Sequence, residues 1–441
     1  MTDRTRLSRR AFLGAAAGGA AVVGAAGLAT SGGFGALAAV VANDPAAGAA
    51  GTYPFTGAHQ AGIVTPAQDR MYTAGFDLTT TSRDELIALL RTWTAMGARL
   101  TAGLSAGPFG PTSGPYDAPP DDTGEAQELG AAGLTVTVGF GRSLFTGRPD
   151  DEGDRFGIGH RLPEALVALP HFPGDDLRSI RSDGDLIVQA CAHDPQVAMH
   201  AVRNLTRAAF GSARVRWSQL GFGRTSSTSR AQVTPRNLMG FKDGTANLKA
   251  EDTGELETHV WVQPGDGGSP AAWLAGGTYM VVRRIRMQVE TWDRTSLREQ
   301  EAIFGRSKGE GAPLSGGTEF TAPDFRRQGR AGESLIAGRA HVKLAHPSSH
   351  GGARILRRGY NFTDGNDALG RLDAGLFFVA FERDPRTGFI PLQQALARHD
   401  VLNEYIVHTG SGVYAIPPGV PAINADGSLV DDAFLGAALF A

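Results

Sequence analysis

The sequence predicts an α+β protein of two ferredoxin-like halves, each with an antiparallel sheet, in a dimeric α+β barrel-like arrangement. Three observations predict it. The chain has 441 residues, 41% of them apolar and 20% charged, enough for two or three domains with a sizeable core. Segments that alternate with period two are interleaved with segments of helical periodicity. The order strand–helix–strand, strand–helix–strand occurs twice, and that is the split βαβ order with helices on one side of an antiparallel sheet.

The elements follow in order. Residues 43–50 form a small-residue linker, and the folded part begins near Tyr53. Met71–Leu78 reads as the first strand. Ser82–Met96 is an amphipathic helix, with Ser82 as N-cap and Glu85 three residues on, a capping box. Leu134–Phe140 alternates strictly and is a strand. Asp185–Ala192 is another, Asp194 caps a helix running to about Phe210, and Val215–Phe222 closes the first half. In the second half Thr278–Glu290 is a long strand, Thr295–Phe304 a helix, and His341–Ala345 a short strand. Gly375–Glu382 is an apolar strand, Phe389–Arg398 a helix, and Val413–Ile416 the last strand. Residues 105–130, 262–277 and 305–340 are long connections rich in Gly with Pro, Asp or Arg, the kind that often carries function. The predicted division is 1–43 as an export signal and linker, 53–230 as the first half and 231–441 as the second.

Composition removes several function classes. The net charge of −3 supplies no basic field, which excludes a nucleic-acid binder held by phosphate contacts. Sixty glycines are roughly twice ordinary usage, but without a period of three they do not make collagen. One cysteine, Cys191, rules out an intrachain disulfide, a zinc finger, an iron–sulfur site and a covalently attached haem. It lies in an apolar run and reads as a small buried hydrophobe. The N-terminus reads as an address. Arg4, Arg6, Arg9 and Arg10 precede an uncharged stretch to about Val41, with a small-x-small site at Ala36-Leu37-Ala38. Ser8-Arg9-Arg10-Ala11-Phe12-Leu13 resembles a twin-arginine signal, whose pathway exports folded proteins. The expectation is therefore export through the twin-arginine machinery to the periplasm or the outside of the cell.

Three places carry candidate chemistry. Gly240-Phe241-Lys242-Asp243-Gly244-Thr245-Ala246-Asn247 sets an Asp between glycines, which permits a tight turn and close approach of another group. His341 could ligate a metal or be a satisfied core residue. His346 and His350 follow, but Pro347 and Gly351-Gly352 break any regular spacing among the three. Arg357-Arg358 lies between apolar Ile355-Leu356 and Gly359-Tyr360, and a partly buried guanidinium needs an anionic partner. Trp217, Trp261, Trp273, Tyr279 and Tyr405 read as core aromatics, and His59 and Gln60 as ties for the N-terminal arm.

The Gly240–Gly244 run resembles the G-x-x-D-G signature of the dye-decolourising haem peroxidases. The stretch from His341-Val342-Lys343-Leu344-Ala345 to Leu356-Arg357-Arg358-Gly359-Tyr360 is similar to that family's downstream ligand and arginine. Gly57–Ile63, Trp292–Thr295 and Leu376–Val379 fit its exported branch, which includes deferrochelatase/peroxidases, so the resemblance spans about residues 53–420. It departs at His346, where close relatives are expected to carry asparagine. The resemblance implies non-covalent haem b (iron protoporphyrin IX) in the second half, with His341 as its iron ligand. Asp243, Gly244, Thr245, Arg357 and Phe378 would lie against the cofactor. Asp243, when ionised, would shuttle a proton during cleavage of hydrogen peroxide, and Arg357 would stabilise the developing negative charge. The second nitrogen of His341 needs an orienting acceptor; Glu404 is the expected one and Asp373 the alternative. The implied partners are hydrogen peroxide, an organic reductant such as a dye or phenol, and, for the deferrochelatase alternative, components of an iron-uptake system; homo-oligomers are also allowed. A non-catalytic haem carrier is the other alternative, and it would need neither Asp243 nor Arg357.

Overall fold

The computed structural model describes residues 51–148, 151 and 153–441. The expected signal and the 43–50 linker fall outside the described residues. The first half runs β1 (Arg70–Leu78), α1 (Arg83–Thr101), β2 (Thr135–Gly141), β3 (Leu186–Ala192), α2 (Pro195–Ala208), β4 (Ala213–Arg224). The second contains β5 (Thr278–Met287), α3 (Leu297–Phe304), α4 (His341–Leu344), β6 (Leu356–Arg357), β7 (Tyr360–Asn366), β8 (Leu372–Glu382), α5 (Phe389–His399) and β9 (Ile406–Ile416).

Local signals explain the helix starts. The Ser82 hydroxyl accepts from Glu85 N, and Asp194 accepts from Gln196 N and Val197 N with Pro195 in the first turn, where its missing N–H costs nothing. The apolar faces of α1 and α2 cover one side of the first sheet. Trp93, buried beside Phe76, donates from its indole to Leu205 O at 2.8 Å and so ties the two helices together.

The strands pair antiparallel in the order β4-β1-β3-β2 in the first half and β9-β5-β8-β7 in the second. Two seams join the halves: β2 meets β9 at Phe140–Ala415, and β4 meets β7 at Phe222–Asn361. The sheet therefore closes into a barrel, which removes the open edges of each half. Its interior is filled by alternate residues of the strands, among them Met71, Ile187, Val282, Phe377, Val379 and Tyr414. Cys191 is buried there, as expected.

One expected element is replaced. Residues 341–345 are not a strand: Leu344 N and Ala345 N bond back to Ala340 O and His341 O, closing a helical turn. A five-residue apolar run cannot separate strand from buried helix by periodicity. The missing strand of the second half is β6 and β7 together, laid end to end along β8. Between them Gly359 is packed so closely that a Cβ would sit 2.8 Å from Thr225 Oγ1. No helix of the described residues is long and apolar enough to cross a membrane.

Candidate active site

Strand alternation separates the two adjacent arginines. Arg358 points into the barrel, fully buried, and donates to the carbonyls of Ile63 and Thr65 and to Gln68 Oε1. Arg357, one residue earlier, points to the opposite face. There it donates to Asp243 Oδ1 and lies 5.8 Å from the centre of the Phe378 ring. Its backbone is clamped by a single side chain: Arg357 N donates to Asn247 Oδ1, and Asn247 Nδ2 donates back to Arg357 O, both at 2.8 Å.

Asp243 sits in a turn fixed from both sides. Arg236 and Lys242 form an antiparallel bridge, and Asp243 N donates to Pro235 O at 2.9 Å. Gly244 has φ +81, and a Cβ on it would stand 3.0 Å from Ser226 Cα, so the turn requires glycine. The second carboxylate oxygen of Asp243 accepts from Asn237 Nδ2 at 3.1 Å. Thr245 does not present its hydroxyl freely; it donates to Glu319 Oε1 at 3.2 Å, and Lys242 pairs with the same carboxylate. Burial works to raise Glu319, but hydrogen bonds from Lys242, Thr234 and Thr245 outweigh it and hold the carboxyl below its ordinary value. The 305–340 connection is thereby fastened to the Asp243 turn.

His341 opens α4, and its ring lies edge-on to Phe304 at 5.9 Å. Its Nδ1 stands 2.5 Å from Asp400 Oδ2. This corrects the expected orienting residue. Glu404 is exposed, one short helical turn further on, and Asp373 is engaged with Arg181, Arg284 and Arg286 on the first turns of β8. Asp400 ends α5, and its other oxygen accepts from Leu402 N at 2.9 Å, so the carboxylate is held before it meets the imidazole. Burial disfavours the charged imidazole, but Asp400 outweighs it and raises the proton affinity of His341; the charges of Arg357 and Asp243 also reach this ring, in opposite senses. With Nδ1 on Asp400, Nε2 has no hydrogen bond among the described residues.

His341, His346 and His350 do not form a cluster. His346 packs on Phe325 and bonds Ser348, and His350 bonds Leu344 O. No group of three or more His, Cys, Asp or Glu among the described residues could hold a metal ion. One carboxylate-backed imidazole would suit an iron already held by a macrocycle, with His341 as its protein ligand. His59 stacks on Trp261 at 3.7 Å, and Gln60 bonds Val138 and Pro417, which ties the N-terminal arm across the barrel as expected. Sequence reasoning missed Asn237, Asn247 and Asp400. Only Asn247 left a signal, as the last polar residue of the Gly240–Asn247 run.

Residues 60–223 match the family description "Dyp-type peroxidase, N-terminal" and residues 234–421 match "Dyp-type peroxidase, C-terminal". The chain belongs to the Dyp-type peroxidase family. Among Dyp-type relatives it is 39% identical over 438 residues to the dye-decolorizing peroxidase of Thermobifida fusca, covering 94% of this chain and 95% of that one. It is 38% identical over 375 residues to the deferrochelatase of Yersinia pseudotuberculosis, covering 84% and 82%. The solved structure of DtpA from Streptomyces lividans superposes with a TM-score of 0.77 at 40% identity, covering 88% of this chain and 98% of that one. As a Dyp-type peroxidase the protein is an oxidoreductase of a haem-binding family that uses hydrogen peroxide and a reductant.

Proposed function

We propose that this Dyp-type peroxidase binds haem b through His341 and reduces hydrogen peroxide with Asp243 and Arg357, oxidising dyes or phenols in one-electron steps. The observation that carries the reading is the Arg357–Asp243 pair on the same face as Phe378, with a carboxylate-backed imidazole whose charge environment includes both. A bound haem would supply the redox-active iron. The chain's residues do the rest. Asp400 accepts from Nδ1 of His341, which fixes the tautomer and leaves Nε2 as the donor atom. Asp243, steadied by Asn237, takes a proton from peroxide and returns it to the departing oxygen. Arg357 keeps its charge throughout and stabilises the negative charge that develops as the O–O bond breaks. Asn247 holds the Arg357 backbone, so the guanidinium starts from a fixed position.

The N-terminal Ser8–Leu13 run supports export by the twin-arginine route, to the periplasm or beyond. The similarity to deferrochelatases supports a second reading, release of iron from haem with the porphyrin left intact, in contact with an iron-uptake system. The two part in one experiment. Purified holoprotein receives one equivalent of hydrogen peroxide, and its visible spectrum is followed on the millisecond scale. A rapid change of the Soret band, reversed by a phenol or dye, is the expected result; an inert Soret band overturns the peroxidase reading. Metal-free protoporphyrin accumulating during incubation with haem would favour the second.

Asp400→Asn tests the orienting carboxylate. It retains an oxygen for Leu402 N but weakens the acceptor for His341. Loss of such a partner typically costs about 10–100-fold in metal affinity. Faster transfer of haem to apomyoglobin, by a factor in that range, is the expected measurement.

A further inference from the structure

Helix α5 joins two parts of the candidate site. Asp400 follows its last residue and holds Nδ1 of His341. Its first residue, Phe389, lies against Phe378, with ring centres 5.8 Å apart. Phe378 belongs to β8, the strand whose Ala380 pairs with Arg357. The helix has 11 residues and at roughly 1.5 Å per residue spans about 16 Å. Whatever fixes its start against β8 therefore helps to place the carboxylate behind His341 relative to the strand behind Arg357.

The far end of α5 is bound into one piece with its surroundings. Asn403 Nδ2 donates to Leu396 O and Ala397 O, at 2.8 and 3.2 Å. Arg339 Nε, just before α4, donates to His399 O at 3.0 Å. The last turn of α5, the Asp400 turn and the approach to α4 are thus tied to one another.

The near end is held differently. A helix leaves its first N–H groups without internal partners, and the side chain of the residue before it ordinarily caps them. Here that residue is Gly388, which has no side chain to offer. Pro391 has no N–H, and Ile390 N donates to Pro385 O at 2.9 Å. Phe389 N donates to Glu382 Oε2 at 2.7 Å, an acceptor seven residues earlier, on β8. Gly388 makes the approach possible, because a Cβ there would collide with that oxygen. The backbone of Glu382 is fixed in turn: it pairs with Tyr279, and its carbonyl accepts from Thr278 Oγ1 at 3.1 Å.

As a cap alone, Glu382 is a poor choice. It is 1% exposed, and its Oε1 is buried with no hydrogen-bond partner. An unpaired buried polar atom lowers stability. Burial, with Asp384 nearby, lifts the carboxyl to about 8 against the pull of the Phe389 N–H. At neutral pH it is a carboxylic acid, and its Oε2 accepts as an amide oxygen would. A serine or aspartate in place of Gly388 would cap the helix without burying a carboxyl. Neither would bind the helix to the sheet.

We propose that Glu382 is a positioning residue for His341: it ties the start of α5 to β8 and so keeps Asp400, at the other end of the helix, where it orients the imidazole. The inference rests on His341 as the haem-iron ligand.

The test is resonance Raman spectroscopy of the ferrous holoprotein, which reads the iron–histidine stretch, with the rate of haem transfer to apomyoglobin as a second measure. Glu382→Gln keeps an oxygen for Phe389 N and leaves both unchanged. Glu382→Leu removes it, shifts or splits the band, and speeds haem transfer about tenfold, the lower end of the cost of losing an outer partner. Gly388→Ala breaks the same contact from the helix side with the same result, and it decides the matter should Glu382→Leu fail to fold. Asp194→Ala, which uncaps α2 in the first half, lowers the thermal midpoint and moves neither measure. A wild-type band and transfer rate in Glu382→Leu or Gly388→Ala overturns the proposal. So does an equal change in Asp194→Ala, which would make the effect one of stability alone. A wild-type protein with no iron–histidine band, or a band that survives His341→Ala, would instead sink the ligand assignment.

Discussion

His341→Ala protein is expected to purify without a Soret band and to gain none when haem is added. The reason lies in what else is available. Cys191 is buried inside the barrel, His346 and His350 are engaged with neighbours, and no three-membered ligand cluster exists among the described residues. The substitution removes the imidazole whose Nδ1 is held by Asp400 and with it the proposed iron ligand. Far-ultraviolet circular dichroism should be unchanged, because α4 is only four residues long and sits outside the barrel core. A normal Soret band in this variant would move the iron ligand elsewhere.

The second large effect belongs to the distal pair. Asp243→Asn should keep haem and slow the reaction with peroxide by ~10²–10⁴, the usual range for a positioned acid–base group. The amide can still take up the Arg357 contact but cannot accept a proton. Arg357→Leu should cost ~10²–10³ through loss of a preorganised cation, about 3–4 kcal/mol in the barrier. Stopped-flow absorbance at the Soret maximum measures both. A wild-type rate in Asp243→Asn would shift the proton transfer to solvent.

How far the sequence carried the reading depended on the type of signal. Strict alternation found β2, and side-chain caps found the starts of α1 and α2. Composition could not find β7, because Gly359 and Asp364-Gly365-Asn366 look like turns while only Tyr360–Phe362 is buried. At the site, the residues with a recognisable motif came out together: Asp243 and Arg357 touch, although 114 positions separate them. The supporting residues did not. Asp400 and Glu404 lie in one short stretch, and only the path of the chain at the end of α5 decides which carboxylate faces His341. Asn237 and Asn247 act on a carboxylate and a backbone brought near by folding, so local pattern gives little warning of either.

The closure of the barrel bears on how the chain is made. Alone, the first half ends in two edges, β2 and β4, whose partners are in β9 and β7. Each seam rests on very few residue pairs, so neither holds well unless the other has formed. Roughly 270 residues separate Gly141 from its partner strand, so at ~5–20 residues per second a nascent chain waits about 14–55 s before β2 can be covered. Through that interval the half-made sheet offers unpaired N–H and C=O groups to any neighbouring chain. A truncation that removes only β9 would leave β2 and β5 without a shared partner, and the result would be a sticky open sheet in place of a smaller enzyme.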